Sequence, residues 1–283
     1  MNKTEFPALL AAGEVKSILK KIRSGEREWE EDDWQGLLPS MLKYIGSIDS
    51  ELRDSLIYGT FCKLTNEKKW DNPLLQDVLN RCLTDEMLFN GIGENGTDSV
   101  FTRSFTTLLI ALVLYSDNES PFLTAHAVDE AKRKMIDYME AEKDLRGFVP
   151  GKGWAHSIAH AADVFDELAK SRYADQEMYE ELLDELWKKA FVAESVYIHD
   201  EEERILIPIL EMVKRGMDPE ILQDRLDRLP AEMARQKEWL EEEKYWFLIA
   251  NAKKFLKSFY VEMEDLPQAA QFRKSIWDCL AEL

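Results

Sequence analysis

Two of the four histidines in this 283-residue chain, His156 and His160, lie four positions apart, and Asp163 follows three further on. A helical residue advances ~100°, so with His156 at zero His160 falls near ~40° and Asp163 near ~-20°. The three side chains then share one narrow stripe, opposite Ile158, Ala161, Phe165 and Leu168. Two imidazoles and a carboxylate on one face could hold zinc or another divalent metal and leave a position for water. The same stripe could instead bind an anionic or peptide ligand, with Arg103 and Lys152 supplying charge and Trp154 a stacking wall. A third use is purely structural, as hydrogen-bond partners between helices. Ser157 stands where an H-E-x-x-H motif would need its glutamate, which excludes a zincin.

Other constellations carry less. His160, the pair His199-Asp200 and a later Asp218 or Asp224 follow the ligand order of HD phosphohydrolases. Asp200, however, reads as the N-cap of the next helix, with Glu202 and Glu203 in its first turn. The stretch NGIGENGT (90–97) has three glycines, but no strand precedes it and no G-K-[ST] closes it, so a flexible loop is expected. There is no G-x-S-x-G elbow and no cysteine beside a histidine. Cys62, Cys82 and Cys279 are too scattered for a metal motif and read as buried hydrophobes. His126 reads as a solvated residue in a first helical turn.

The elements that would position these residues are helices. Apolar residues make up 45% and charged residues 32% of the chain, with 12 Gly and 9 Pro, and nearly every segment repeats its apolar residues at i, i+3, i+4 and i+7. Pro7 opens a first helix to about Arg23, Asp32 or Asp33 caps a second, and Asp49-Ser50 starts a third. Thr124 and Asp175 cap later helices, one helix runs from Trp154 to Ser171, and a short one runs from Asp218-Pro219 to near Leu229. Aligning Ser55, Ser104, Ser157, Arg204 and Trp246 gives steps of 49, 53, 47 and 42 residues. Two helices per step of ~40 to 50 residues is the period of HEAT or armadillo-like repeats.

The expected fold is therefore all-α, a right-handed α-α superhelix of about five helix pairs forming one domain over residues 1–283. Asp54, Arg103, His156, Glu203 and Tyr245, each just before an aligned residue, would line one concave groove. Arg146, Lys152 and Trp154 would stand at its rim, with His160 and Asp163 below.

Charge bounds the partners. Thirty-six basic residues against 55 acidic ones leave a formal charge of -19 and a pI near 4.7. Phosphate backbones and anionic lipid call for basic patches, so neither nucleic acid nor membrane is expected as a partner. The longest apolar run, Leu108–Tyr115, is too short to span a bilayer, the N-terminus lacks a signal peptide, and a cytoplasmic location is expected.

Two segments, EKDLRGFVPGKGWAHSIAHAADVFDELAKS and SVFTRSFTTLLIALVLYSDNESPFL, resemble the bacterial family known as domain of unknown function 2785. The resemblance is most specific from Arg146 to Asp163 and implies an all-helical bacterial protein with no established activity. From the residues, the expected function is a binding or scaffold protein without a cofactor, whose groove holds a peptide, a protein or a small anionic ligand. The alternative is a metal-dependent hydrolase built on His156, His160 and Asp163.

Overall fold

The computed structural model describes residues 9–30, 32–263 and 269–283; Pro7 and Gln268, expected to begin the first and last helices, lie outside them. The described chain is mainly α-helical. Helices α1 (Ala12–Ser24) and α2 (Asp33–Lys43) lead to a π-helical stretch, Glu51–Tyr58, that runs directly into α3 (Gly59–Asn66). Then come α4 (Asn72–Cys82), α5 (Ser99–Glu119) and α6 (Ala125–Ala141), and a small hairpin of β1 (Phe148–Val149) and β2 (Gly153–Trp154). After it follow α7 (Ser157–Ala169), α8 (Gln176–Ala190), α9 (Glu201–Lys214), α10 (Pro219–Trp239), α11 (Glu242–Glu262) and α12 (Ala269–Glu282).

Several helix starts follow from capping chemistry. Thr124 and Asp175 accept the backbone N–H groups of Ala127 and Met178 with their side chains, satisfying donors that a helix N-terminus leaves open. Asp200 departs from the expectation. It adopts a left-handed backbone, φ 62°, and makes no side-chain cap. The short helix expected to stop near Leu229 instead continues to Trp239. Pro230 removes one hydrogen bond there, but Leu222, Leu226, Leu229 and Met233 form one buried stripe across it, and that burial holds the helix together.

Alternate helices pack in chain order, α5 on α7, α7 on α9 and α9 on α11, while α6 and α8 pack against α7 and α10 against α12. The core runs continuously through Phe105, Leu109, Phe165, Leu168, Ile205, Ile209 and Phe255. Leu108–Tyr115 proves to be the middle of α5, whose 21 residues are by length and composition enough to cross a membrane. Here 72% of that apolar window is buried by neighbouring helices. Cys82 and Cys279 are buried and Cys62 is half-buried, all three free.

Candidate functional site

The segment before α7 is a hairpin rather than the first turn of a helix. Val149-Pro150-Gly151-Lys152 makes the turn, with the Lys152 N–H donating to the Val149 carbonyl at 3.0 Å and Gly151 at φ 77°. Proline followed by a glycine of positive φ is the signature of a type II turn. Gly153 also needs to be glycine. Its φ is 85°, and a Cβ there would stand 2.9 Å from the Ser50 Cβ.

The hairpin is clamped onto neighbouring elements. Arg53, fully buried, donates to the carbonyls of Ser47 (2.6 Å) and Lys152 (2.8 Å) and lies over the rings of Phe101 and Phe105. Ser104 donates to the Ala155 carbonyl at 2.5 Å, and Ser157 to that of Asp144. Lys152 pairs with Asp98 at 2.6 Å, and Arg146 reaches the Thr97 carbonyl at 2.7 Å. These contacts press the hairpin against the N-terminal ends of the π-helical stretch, α5 and α7, and through His199 and Glu201 against α9 as well.

His156 sits just before α7, not inside it. Its backbone is left-handed, φ 45° and ψ 40°, which a non-glycine residue rarely adopts. The helical-wheel stripe therefore holds only for His160 and Asp163. The imidazole of His156 nevertheless meets them in space: it stacks on Trp154 at 4.5 Å between ring centroids, with His160 at 5.7 Å and His199 at 6.3 Å. Trp154 in turn packs edge-on to Phe148 (5.1 Å) and His199 (5.4 Å). His199, two helices further along the chain, stands out in the sequence only as half of a His-Asp pair. Its partner in the structure is the Trp154 ring and not Asp200.

Burial holds two of the clustered imidazoles, those of His156 and His160, in their neutral form. Burial, aided by the nearby Arg204 charge, pushes the His156 imidazole down to about 4, and burial takes His160 well below its ordinary value. His156 Nε2 is buried without a hydrogen-bond partner among the described residues. The closest carboxylate oxygen, Oε1 of buried Glu201, lies 3.5 Å away and 3.8 Å from His199 Nδ1. His160 has Ser104 Oγ 3.4 Å from its Nδ1 and the edge of Phe105 against its ring.

Asp163 does not complete a metal triad. Its carboxylate is taken by the Arg204 guanidinium, and burial raises its pKa despite that pair. Among the described residues no group of three or more His, Cys, Asp and Glu side chains is arranged to hold a metal ion. The HD-type order fails similarly, since the histidines gather around an indole rather than around carboxylates.

Of the other expected groove residues, Arg103 is the clearest correction. It is 0% exposed. Its Nε donates to Glu142 Oε2 at 2.5 Å and its Nη2 to Oε1 at 2.9 Å, and its remaining donors hold the Asn90, Gly91 and Glu94 carbonyls and Ser99 Oγ. It is a structural pin, and the glycine-rich loop, expected to be loose, is wrapped around it. Glu203 is exposed, and the next residue, Arg204, reaches the cluster in its place. Arg146 is tied to buried Asp144, while Trp154 stays 41% exposed.

A concave surface does adjoin the cluster, on a side the sequence did not indicate. One cavity of about 290 Å³ is lined by Gly147, Phe148, Ile198, His199 and Glu201, and a second of about 1120 Å³ by Trp187, Lys189, Phe191, Met233 and Trp239. Both cavities include Asn95, Lys143, Leu145 and Glu194 in their walls, so the two lie side by side on one concave surface. It follows the C-terminal ends of α6, α8 and α10. No periodicity marks these residues, because they come from helix ends and loops.

Fold and site together define a mainly all-α protein with a partly buried histidine–tryptophan cluster beside an amphipathic groove. Residues 88–261 match the family described as protein of unknown function (DUF2785), and the chain belongs to that family. The matched span holds α5 to α11 almost entirely, including the hairpin, the three clustered histidines and the groove. No curated protein and no solved structure matches the chain.

Proposed function

We propose that the protein is a peptide-binding module of the α-α superhelix type, with the groove from Trp239 to His199 as its binding surface. The observation that carries this reading is the adjacency of the two cavities, about 1120 and 290 Å³, which share four wall residues. An elongated groove of that size suits an extended segment better than a compact metabolite. Aromatic and aliphatic walls from Trp187, Phe191, Leu145 and Trp239 would take apolar side chains. Lys143 and Lys189 lie in the walls and form no ion pair among the described residues, so they would take acidic side chains of the segment locally, while Glu140, Glu185, Glu194 and Glu232 share the same walls. At the far end of the groove, His199, Phe148 and Ile198 line the smaller cavity and would take the terminal residue.

The in-order packing of α5, α7, α9 and α11 supports the superhelical arrangement, because stacked helix pairs leave one run of helix ends on a shared surface. Selection from a random peptide library on the immobilised full chain tests the proposal. Acidic, apolar-rich sequences are expected to be enriched, and their binding to drop at least tenfold in Lys143→Glu and in Trp239→Ala. Trp239 is 83% exposed, so its loss leaves the fold intact. Enrichment of the same sequences by both variants would refute the groove.

A further inference from the structure

A separate cavity of about 210 Å³ opens at the opposite end of α5, one 21-residue helix or about 30 Å from the hairpin. It lies between the end of α3 and the α3–α4 connection, with Thr65, Lys68 and Trp70, and the C-terminal end of α5 with its following loop, with Tyr115, Glu119 and Phe122. Its volume is large against the ~30 Å³ that a water molecule occupies in the liquid.

Two features point to a ligand. Thr65 Oγ1 and Trp70 Nε1 are both buried and have no hydrogen-bond partner among the described residues, and both residues line the cavity. Thr65 is only 8% exposed, and the Trp70 ring is held by stacking on Phe61 at 5.6 Å and by Trp34 at 5.3 Å, so neither polar atom is free to turn towards solvent. A buried donor left unpaired is costly, and a ligand acceptor removes that cost. The second feature is the pair of opposite charges on the rim. Lys68 and Glu119 are exposed, and neither joins an ion pair among the described residues. The C-terminal end of α5, whose last carbonyls carry partial negative charge, adds to the Glu119 side and favours a cation there.

An anion alone would face Glu119 and the helix end, and a cation alone would face Lys68. A molecule carrying both charges satisfies both rims. We propose that this cavity binds a small apolar α-amino acid as its zwitterion. The carboxylate is directed to Lys68 and the Trp70 indole N–H, the ammonium to Glu119 and the end of α5, and the side chain lies among Trp70, Tyr115 and Phe122.

The test is a titration of the full chain with L-leucine, followed by the indole N–H signals of its eight tryptophans. Trp70 is identified as the signal missing in Trp70→Phe. The expected result is a saturable shift of the Trp70 indole signal. 4-Methylpentanoate and isopentylamine, each keeping one of the two charges, should bind about tenfold more weakly, as should L-leucine to Lys68→Gln and to Glu119→Gln. Both substitutions are on exposed side chains, so folding is retained. A Trp70 signal unmoved at tens of millimolar L-leucine would overturn the proposal, leaving a water-filled crevice. So would single-charge analogues that bind as tightly as L-leucine, or binding unchanged in both variants.

Discussion

Replacing Arg103 should be strongly damaging, and its cost can be worked from the contacts. Arg103→Met keeps the aliphatic stem but strips the guanidinium from Glu142, whose side chain is completely buried. Tyr138 Oη and the N–H groups of Lys143 and Asp144 still donate to that carboxylate, but the nearby basic group left is Lys189, whose Nζ donates to the Glu142 backbone carbonyl rather than to the carboxylate. Breaking a buried pair from one side costs ~3–5 kcal/mol. The freed carbonyls of Asn90, Gly91 and Glu94 lie near the surface, where water replaces the lost donor at little further cost. The expected loss is therefore about 4 kcal/mol, read by urea unfolding as a lower midpoint at unchanged slope. Arg103→Met/Glu142→Gln should recover at least ~2 kcal/mol, because the residual charge is gone. A single-variant loss below ~1 kcal/mol, or a double variant no better than the single, would refute the account of Arg103 as a buried pin.

Three further outcomes follow from the same geometry. His156, pushed down to about 4 by burial, stays neutral in the folded chain while the unfolded chain takes up a proton near pH 6.5. Stability is then complete above pH 6.5 and falls by roughly 3 kcal/mol as pH drops to 4, and an imidazole NMR titration should place the His156 midpoint near 4 rather than 6.5. Gly153→Ala should cost ~2 kcal/mol or more in thermal unfolding, since positive φ and the Ser50 contact both oppose a Cβ. Asn251→Ala should lose ~2–4 kcal/mol: the buried amide accepts from the Tyr197 N–H at 2.9 Å and donates to the Val192 and Ser195 carbonyls, so faster hydrogen exchange at Tyr197 is the specific readout.

Helix content, the alternation of packed helices, the caps at Thr124 and Asp175 and the core face of α7 were all legible in the sequence, because periodicity and capping are local properties. Ile158, Ala161, Phe165 and Leu168 are buried as their spacing implies. What misled was the continuity of a helical pattern through Trp154 and His156. Pro150-Gly151 and Gly153 impose a turn and close approach there, and the strands they form are only two residues each, too short for a period-two signal.

The candidate site divides in the same way. Residue types and spacing singled out the stretch from Arg146 to Asp163 as chemically unusual, and the chain's membership in its family rests on a span that contains it. Composition and local order could go no further, since a side chain's role depends on what faces it. Arg103 and Asp163 look alike in sequence as polar residues on helix faces. One is fully buried against Glu142 from another helix, and the other is half-buried against Arg204. His199 joins His156 and His160 only because α7 packs on α9, and the groove exists only because three helix ends come level along the stack. Charge compensation, burial and the meeting of distant side chains are long-range quantities, and tertiary packing alone decides them.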